Sequence, residues 1–391
     1  MKILITGLTL HNNKGGAALA LSLIKKLDIQ FPEAMYYMAV PNFESNLERE
    51  KVWAKFYKVN GVIGAVGVKE MLGINMERKE NFLSFLEDIN LIIDLNALSY
   101  MDLPHLTYKQ NLVRNLSIYS IRYFSNTLKI PLIRWTQSYG PFYSYLTRII
   151  VKYDLKNQKN IFTRGEGSLR TMSNLLKEKD IYSFPDIAIT LEQKDDYYDK
   201  NLKDKKYITL SPSSVIYAKD KDKHIEDFRQ IVNYIKTLGY FIVFVPHNLM
   251  SINPSLNSCD LKVSEKILSG VSKENIYLVE EDIDVYNLKG VISNAVLHIG
   301  ARYHSIIASL STNVPTIAFS WHEKYKDIMR MYGMESYVYD GKSDINILFN
   351  FIDELEKNRD QTILTLKNKQ NILEKEIDKN IKLFMENYYE L

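Results

Sequence analysis

Short apolar runs alternate with longer amphipathic segments along most of the chain. Strands that are buried on both faces read as continuous apolar runs, so this alternation is typical of parallel strands joined by helices. In the first half, the pattern predicts strands at residues 2–6, 91–95, 130–136 and 160–164, with helices at 17–27 and 110–128. The sequence therefore predicts an α/β fold.

A charged stretch at residues 192–206 interrupts the alternation and is predicted to be a linker. Beyond it, the pattern predicts a helix at 225–238 and strands at 207–210, 241–246, 276–279, 296–299 and 316–319. A chain of 391 residues is long enough for two domains. We therefore predict two Rossmann-like domains, at 1–195 and 205–345, that face each other across a cleft and are followed by C-terminal helices at 346–391.

The segment Gly-Ala-Arg-Tyr-His-Ser at residues 300–305 lies where a predicted strand gives way to a predicted helix. In open α/β sheets, ligands bind at this edge, and a helix N-terminus there favours anions. Arg302 and His304 are therefore the main candidates for binding or chemistry, with Tyr303 between them. Lys324 follows the neighbouring strand, so these side chains are expected to converge on a substrate that carries a phosphate or a carboxylate.

Several other strand ends carry candidate binding residues, each with a structural alternative. Asn13, Gly15 and Gly16 follow the first strand, where paired glycines allow a close backbone approach; the alternative is a tight turn with an asparagine cap. His247 follows the strand predicted at 241–246, and the alternative is a structural loop histidine. Asp282 and Asp284 precede a predicted helix, where N-capping accounts for Asp284.

Three further candidates follow strands of the first half. Gln137 lies in a donor-rich loop, and Arg164 and Glu166 lie at and just beyond a strand end. An arginine can bind a carboxylate or phosphate through two parallel bonds. The alternative is an Arg164–Glu166 surface pair that caps the next helix.

Composition narrows the classes of function. A net charge of +3 argues against a dedicated nucleic-acid binder, and the single cysteine excludes an internal disulfide and fits a reducing cytosol. No apolar stretch has the length of a membrane span. The seven histidines show no metal-binding spacing, and there is no Gly-x-Ser-x-Gly elbow of a hydrolase.

The chain resembles the polysaccharide pyruvyl transferase family. The resemblance extends from the Asn13 loop to about residue 332 and is carried by segments at 137–142, 163–168, 184–186, 300–305, 313–315 and 321–324. It implies a fold like that of the glycosyltransferase B enzymes. It also implies transfer of pyruvate from phosphoenolpyruvate (PEP) to two hydroxyls of a sugar, which forms a cyclic ketal and releases phosphate.

By motif position, the resemblance implies that Arg302, His304 and Arg164 bind PEP, with PEP on the second domain and a glycan acceptor, free or lipid-linked, on the first. PEP is then a co-substrate, and no cofactor or metal is expected. The sequence departs from the family pattern at Tyr303, commonly a leucine, at Ala17 and Ala18, where an aspartate is usual, and at 96–97, where glycines are usual.

Two alternatives remain at this point. One is a nucleotide-sugar glycosyltransferase of the same architecture, although the chain offers no clear acidic residue for the ribose. The other is a carbohydrate-binding family member without activity. The expected location is the cytoplasm, and the basic, tyrosine-rich composition is compatible with peripheral contact at the inner face of the membrane. Homo-oligomerisation stays open at this point.

Overall fold

The computed structural model describes residues 1–40, 43–249, 254–320 and 323–390. The chain divides into two compact units. Unit 1 comprises residues 1–10, 23–186 and 376–391, and unit 2 comprises residues 11–22 and 187–375. The predicted domain limits differ from these units, because residues 11–22 group with the second half of the chain and the C-terminal residues group with the first.

Unit 1 is built on a parallel sheet with the strand order β3-β2-β1-β4-β5. Its strands, including the separate pair β6-β7, are β1 (Lys2–Thr6), β2 (Met35–Val40), β3 (Gly61–Gly64), β4 (Leu91–Asp94), β5 (Leu132–Arg134), β6 (Asn160–Thr163) and β7 (Asp180–Ser183). The strands predicted at 2–6, 91–95, 130–136 and 160–164 are thus confirmed, whereas β2, β3 and β7 were not predicted.

Helices connect these strands. They are α1 (Lys14–Gln30), α2 (Phe43–Phe56), α3 (Val68–Met71), α4 (Met76–Leu86), α5 (Tyr108–Leu128), α6 (Tyr145–Leu155) and α7 (Glu166–Leu175). Residues 14–22 of α1 belong to unit 2, and the rest of the helix belongs to unit 1. The core of unit 1 packs Leu4 and Ile92 of the sheet against Phe82 and Phe124 of the helices. This burial of both sheet faces explains why the central strands read as apolar runs.

Unit 2 is built on a second parallel sheet, with the order β10-β9-β8-β11-β12-β13. Its strands are β8 (Tyr207–Ser211), β9 (Phe241–Phe244), β10 (Ile276–Leu278), β11 (Leu297–Gly300), β12 (Thr316–Phe319) and β13 (Val338–Tyr339). Its helices are α8 (Asp196–Asn201), α9 (Ser214–Lys219), α10 (Lys221–Thr237), α11 (Asp260–Leu268), α12 (Val285–Ser293), α13 (Tyr303–Leu310), α14 (Glu323–Met331) and α15 (Asn346–Lys357). The last helix, α16 (Arg359–Glu390), contributes residues to both units.

The charged segment at 192–206 belongs to unit 2 and contains α8. Two hydrogen bonds fix it to α12 and the residues around it: Lys194 N–H donates to the Tyr286 carbonyl at 3.0 Å, and Tyr197 N–H donates to Asn287 Oδ1 at 2.9 Å. The border between the units falls at residues 186 and 187 instead. The prediction of a linker at 192–206 was therefore wrong, and the charged residues belong to a segment that contains a surface helix. Polar residues are as typical of an exposed helix as of a linker, so composition alone did not distinguish the two.

Candidate functional site

The candidate site of unit 2 lies where β8 and β11 run side by side, with Gly300 paired to Ser211. The chain order reverses at this pair of strands, since β9 lies beyond β8 on one side and β12 lies beyond β11 on the other. Ligands bind at the carboxyl ends of strands at such a switch point. Arg302 follows β11 as the N-cap residue of α13, and His304 lies in the first turn of that helix.

Arg302 is held by a buried carboxylate. Its Nε donates to Asp260 Oδ2 at 2.7 Å, its Nη2 forms an ion pair with Asp260 Oδ1, and Nη2 also donates to Ser214 Oγ at 2.8 Å. Burial disfavours the guanidinium charge, but the attraction of Asp260 raises the pKa of Arg302 above its ordinary value. Arg302 is therefore a fixed cation, and among the described residues its Nη1 has no hydrogen-bond partner.

Asp260 connects three segments of the site. It is fully buried, and besides Arg302 it accepts hydrogen bonds from the backbone of Ser214 at 2.9 Å and Asn248 at 2.9 Å. The His247 N–H group donates to Oδ2 as well, at 3.4 Å, and these five donors satisfy a buried carboxylate that would otherwise be costly to desolvate. The sequence analysis missed Asp260, because one aspartate at the start of a helix is indistinguishable from an ordinary first-turn acid.

His304 packs directly against Gly15. A Cβ added at Gly15 would overlap the imidazole ring of His304, so only glycine fits at this position. Gly15 N–H donates to Asn13 Oδ1 at 3.0 Å, and Lys14 N–H donates to the His247 carbonyl at 3.1 Å. The asparagine cap and the close backbone approach are thus both present, and the group approached is His304.

A buried lysine not selected from the sequence stands next to this glycine. Lys14 is 1% exposed and forms an ion pair with Asp282, whose other oxygen lies 3.2 Å from His11 Nδ1. Burial would raise the pKa of Asp282, but His11 and Lys14 lower it below its ordinary value. The N-capping prediction for Asp284 is confirmed, since its Oδ1 accepts from the N–H groups of Tyr286 and Asn287.

A small cavity of about 20 Å³ lies beneath these groups and is lined by Lys14, His247, Lys289 and His304 together with apolar side chains. It has room for roughly one water molecule. Burial lowers the pKa of His247 to about 4, so this histidine is neutral near pH 7. Burial also lowers the pKa of Lys289 to about 7, and its Nζ donates to the Leu191 carbonyl at 2.6 Å.

Lys289 was also missed from the sequence, although a signal existed. It interrupts the apolar face of α12, where Leu288, Val291 and Ile292 are buried. A lysine in such a position is rarely buried unless it is paired or functional.

Tyr303 lies beside His304, and Lys324 lies beside Tyr303. The Tyr303 ring is buried and meets the His304 ring edge-on, with centroids 5.4 Å apart. Lys324 Nζ lies 5.2 Å from the centroid of the same tyrosine ring. Tyr303 thus contacts both His304 and Lys324, whereas the convergence of Arg302, His304 and Lys324 on a substrate stays a prediction. Trp321 and His322 of the same motif lie outside the described residues.

The remaining predicted residues belong to unit 1. Arg164 pairs with Asp186 at 2.6 Å and donates to the Ala97 carbonyl at 2.8 Å and to Ser138 Oγ at 3.2 Å. The pairing with Glu166 that was considered as a surface alternative is therefore replaced by a buried pair with Asp186, and Glu166 is exposed. These contacts favour a structural role for Arg164, and its role in PEP binding stays a prediction.

Gln137 is also placed by the interior of unit 1. It is fully buried, and its Nε2 donates to the backbone carbonyl of Asp94 at 2.8 Å and to its carboxylate at 2.9 Å. Asp94 in turn pairs with Arg134, which also pairs with Asp154. Gln137 therefore belongs to a buried charged network that joins β4 to β5.

Unit 1 has its own cavity at the carboxyl edge of its sheet. The cavity has a volume of about 440 Å³ and lies between the ends of β1 and β4, where its lining includes Gly7, Asn96, Arg114 and Ser117. This is the switch point of the first sheet, because β2 and β5 lie on opposite sides of that strand pair. Asn96 is one of the positions at which the sequence departs from the family pattern.

Two features are absent from the described residues. Residues 1–40, 43–249, 254–320 and 323–390 contain no cluster of three or more histidine, cysteine, aspartate or glutamate side chains suited to hold a metal ion. Over the same residues, every helix is too short or too polar to cross a membrane.

The two α/β units, each built on a sheet of parallel strands, place the protein in the class with a glycosyltransferase-B-like fold and C-terminal helices. Two solved structures share this fold over nearly the whole chain. UDP-GlcNAc 2-epimerase from Neisseria meningitidis, bound to UDP-GlcNAc, is 12% identical, with a TM-score of 0.58 and coverage of 97% of this chain and 100% of that one. The enzyme of the same name from Methanocaldococcus jannaschii is 13% identical, with a TM-score of 0.58 and coverage of 90% and 92%.

The sequence profile of the polysaccharide pyruvyl transferase family matches residues 13–323. The chain belongs to this family, and the resemblance seen in the sequence is confirmed. The matched range begins at the Asn13 loop and includes Arg302 and His304, so it spans both sides of the contact between Gly15 and His304. No curated protein sequence matches the chain.

Proposed function

We propose that this protein transfers pyruvate from PEP to two hydroxyls of a sugar in a surface or secreted polysaccharide or in its lipid-linked precursor. C2 of PEP forms two bonds to sugar oxygens, and its bond to the phosphate oxygen breaks. One hydroxyl proton ends on C3, which becomes a methyl group, and the other leaves with phosphate. The products are a cyclic ketal and inorganic phosphate, and no oxidant or reductant is needed.

The observation that carries the proposal is the packing of His304 against Gly15, next to the fixed guanidinium of Arg302. The family to which the chain belongs is named for pyruvyl transfer, which agrees with this proposal. PEP carries a carboxylate and a phosphate, which both favour arginine and a helix N-terminus. Arg302 offers Nη1 to such an anion while Asp260 holds the rest of the guanidinium. A guanidinium fixed in advance loses little entropy when the substrate binds.

His304 is proposed to act at the reacting centre, as proton donor to C3 or as a ligand of the departing phosphate. General acid catalysis requires a side chain that is held in position, and the contact with Gly15 provides this. Charge that develops on the phosphate would be stabilised by Arg302 and the first turn of α13. Lys324, near the Tyr303 ring, is proposed as a further cation for the same substrate.

The acceptor is proposed to bind in the cavity of unit 1. Its amide, hydroxyl and guanidinium groups from Asn96, Ser117 and Arg114 suit a polyhydroxylated ligand, and its volume is in the range of ligand pockets. Arg114 is already fixed by hydrogen bonds to the carbonyls of Leu98 and Ser99, both at 3.1 Å. In this proposal the cavity influences the choice of acceptor through Asn96, which differs from the family pattern.

The test is incubation of the protein with PEP and candidate glycans, free and lipid-linked, followed by measurement of released phosphate and of the mass gain of the glycan. We expect both signals from the wild type and neither from His304→Ala. Near-normal turnover by His304→Ala would remove His304 from the mechanism. Thermal stabilisation by UDP- or CMP-sugars but not by PEP would instead favour a nucleotide-sugar glycosyltransferase.

A further inference from the structure

The helix α6 of unit 1 exposes an unusual number of large apolar side chains. Tyr145, Leu146, Ile149 and Tyr153 are 75%, 41%, 44% and 48% exposed, and Tyr143 just before the helix is 68% exposed. Single exposed apolar residues are ordinary, but a contiguous set on one face marks an interaction surface. We call these five residues, together with the basic residues described next, the α6 surface.

Every exposed charge on this helix face is positive. Arg148, Lys152 and Lys156 are spaced four residues apart, so they lie on the same side of the helix among the apolar residues. The acidic residue of the helix, Asp154, is buried and pairs with Arg122 and Arg134. Lys156 Nζ also lies 3.9 Å from the centroid of the Tyr153 ring, so its charge is held close to the apolar stripe.

We propose that the α6 surface docks on an anionic lipid bilayer. Tyrosine is enriched at membrane–water interfaces, and a helix with an apolar stripe flanked by basic residues lies in the plane of the interface. Basic side chains there attract anionic headgroups. The long stems of Lys152 and Lys156 let the apolar residues enter the interface while their charges stay at headgroup level. Arg148 is held near the start of α6, where its Nε and Nη2 donate to the Phe142 carbonyl at 3.1 and 2.9 Å.

The basic residues of the α6 surface favour a lipid bilayer over a partner protein or a second copy of the chain. Lysine is depleted in protein–protein interfaces, whereas two lysines stand within this apolar surface. A second copy of the chain, bound through the same face about a twofold axis, would bring like charges together. The inference is independent of the proposed transfer reaction, since it concerns attachment to the membrane only.

The test is cosedimentation of the full-length protein with vesicles of phosphatidylcholine alone or mixed with phosphatidylglycerol, without PEP or acceptor. We expect binding to the mixed vesicles that weakens as the ionic strength rises. Lys152→Glu/Lys156→Glu should weaken it at least tenfold, because two attractions to anionic headgroups are replaced by repulsions. Tyr145→Ser/Ile149→Ser should weaken it at every ionic strength.

The matched control is Lys203→Glu/Lys205→Glu, which makes the same charge change at exposed positions of unit 2. It should bind the mixed vesicles within about twofold of the wild type. If the control weakened vesicle binding as much as Lys152→Glu/Lys156→Glu does, binding would depend only on the net charge of the protein, and the proposal would be overturned. Vesicle binding that is unchanged in both α6 variants would also overturn it. Loss of self-association in the α6 variants, measured by sedimentation without vesicles, would identify a second copy as the occupant and also overturn it.

Discussion

Gly15 is the residue whose identity is most tightly fixed by the site. A Cβ at this position would overlap the His304 ring, so a side chain cannot be added without displacing that ring or the segment that carries Gly15. The usual interpretation of paired glycines near a helix start is a backbone approach to a phosphate. Here the space beside the glycine is occupied by the His304 ring, so a bound anion would contact the side chain of His304 and not the backbone of Gly15.

Gly15→Ala should therefore displace His304 and lower turnover by about 100-fold, the cost expected from a shift of about 1 Å in a catalytic group. Phosphate release in the presence of acceptor measures this. The matched control is Gly167→Ala, because a Cβ at Gly167 meets open space. Turnover of Gly15→Ala equal to that of the control would show that the position of His304 is unimportant.

Asp260 is the second residue with a measurable role. Asp260→Asn removes the charge that pairs with Arg302, and an uncompensated buried guanidinium costs about 3–5 kcal/mol. We expect the free energy of unfolding, measured by urea denaturation, to fall by that amount. Lys262→Gln, which breaks the exposed Lys262–Glu265 pair of the same helix, should change it by less than about 1 kcal/mol.

At the scale of elements, sequence patterns predicted the strands that are buried at all or nearly all positions, together with the half-buried β10, and missed β2, β3, β7 and β13. β4 and β11 are wholly buried and read clearly as strands. β2 has half-buried positions, and β3 has only four residues, with a glycine at each end. Glycine is unfavourable in strands, so β3 forms because it pairs with β2 in the sheet, which no local pattern contains.

The same division holds for the site. Arg302 and His304 could be found because they follow β11 directly along the chain, at the edge where ligands bind. Asp260 could not, because its importance depends on contacts with segments far away in the sequence, whereas Lys289 could have been noticed as a lysine that interrupts the apolar face of α12. Arg164 was selected by its position at the end of β6, and its hydrogen bonds to Ala97, Ser138 and Asp186 favour a structural role, while its role in PEP binding stays a prediction.

Lys289 in α12 should make the stability of the protein depend on pH. The pKa of Lys289 is about 7 in the folded chain and has its ordinary value of 10.5 in the unfolded chain. Between pH 7 and 10.5, the lysine is therefore protonated in the unfolded chain and largely neutral in the folded chain. Stability contributed by this residue therefore rises with pH across that window. In urea denaturation, wild type should gain stability relative to Lys289→Met between pH 7 and about 9. Lys273→Met, at an exposed position, should show no such trend.

At the scale of the whole molecule, three buried histidines should limit stability in acid. Burial lowers the pKa of His224 to about 3, of His247 to about 4, and of His298 well below its ordinary value. Below about pH 6.5 the unfolded chain binds protons that the folded chain does not, so stability falls as the pH decreases toward 4. Each histidine contributes up to about 1.4 kcal/mol per pH unit.

Urea midpoints at several pH values in this range test the expectation. His224→Gln keeps an acceptor for the Ser213 N–H group but cannot be protonated, so its midpoints should fall less steeply with acid than those of the wild type. The exposed His105→Gln should leave the slope unchanged. Identical slopes for wild type and His224→Gln would mean that this histidine takes up its proton in the folded chain as readily as in the unfolded one.

The assignment of residues 11–22 to unit 2 has a practical consequence for dissecting this protein. A fragment that starts at residue 187 would contain Arg302 and His304 but would lack Lys14 and Gly15, which form one wall of their site. Such a fragment should be supplied with the missing peptide or joined to it through a circular permutation. Gene splits, truncations and domain exchanges within this family should therefore keep the first turns of α1 together with the second half of the chain.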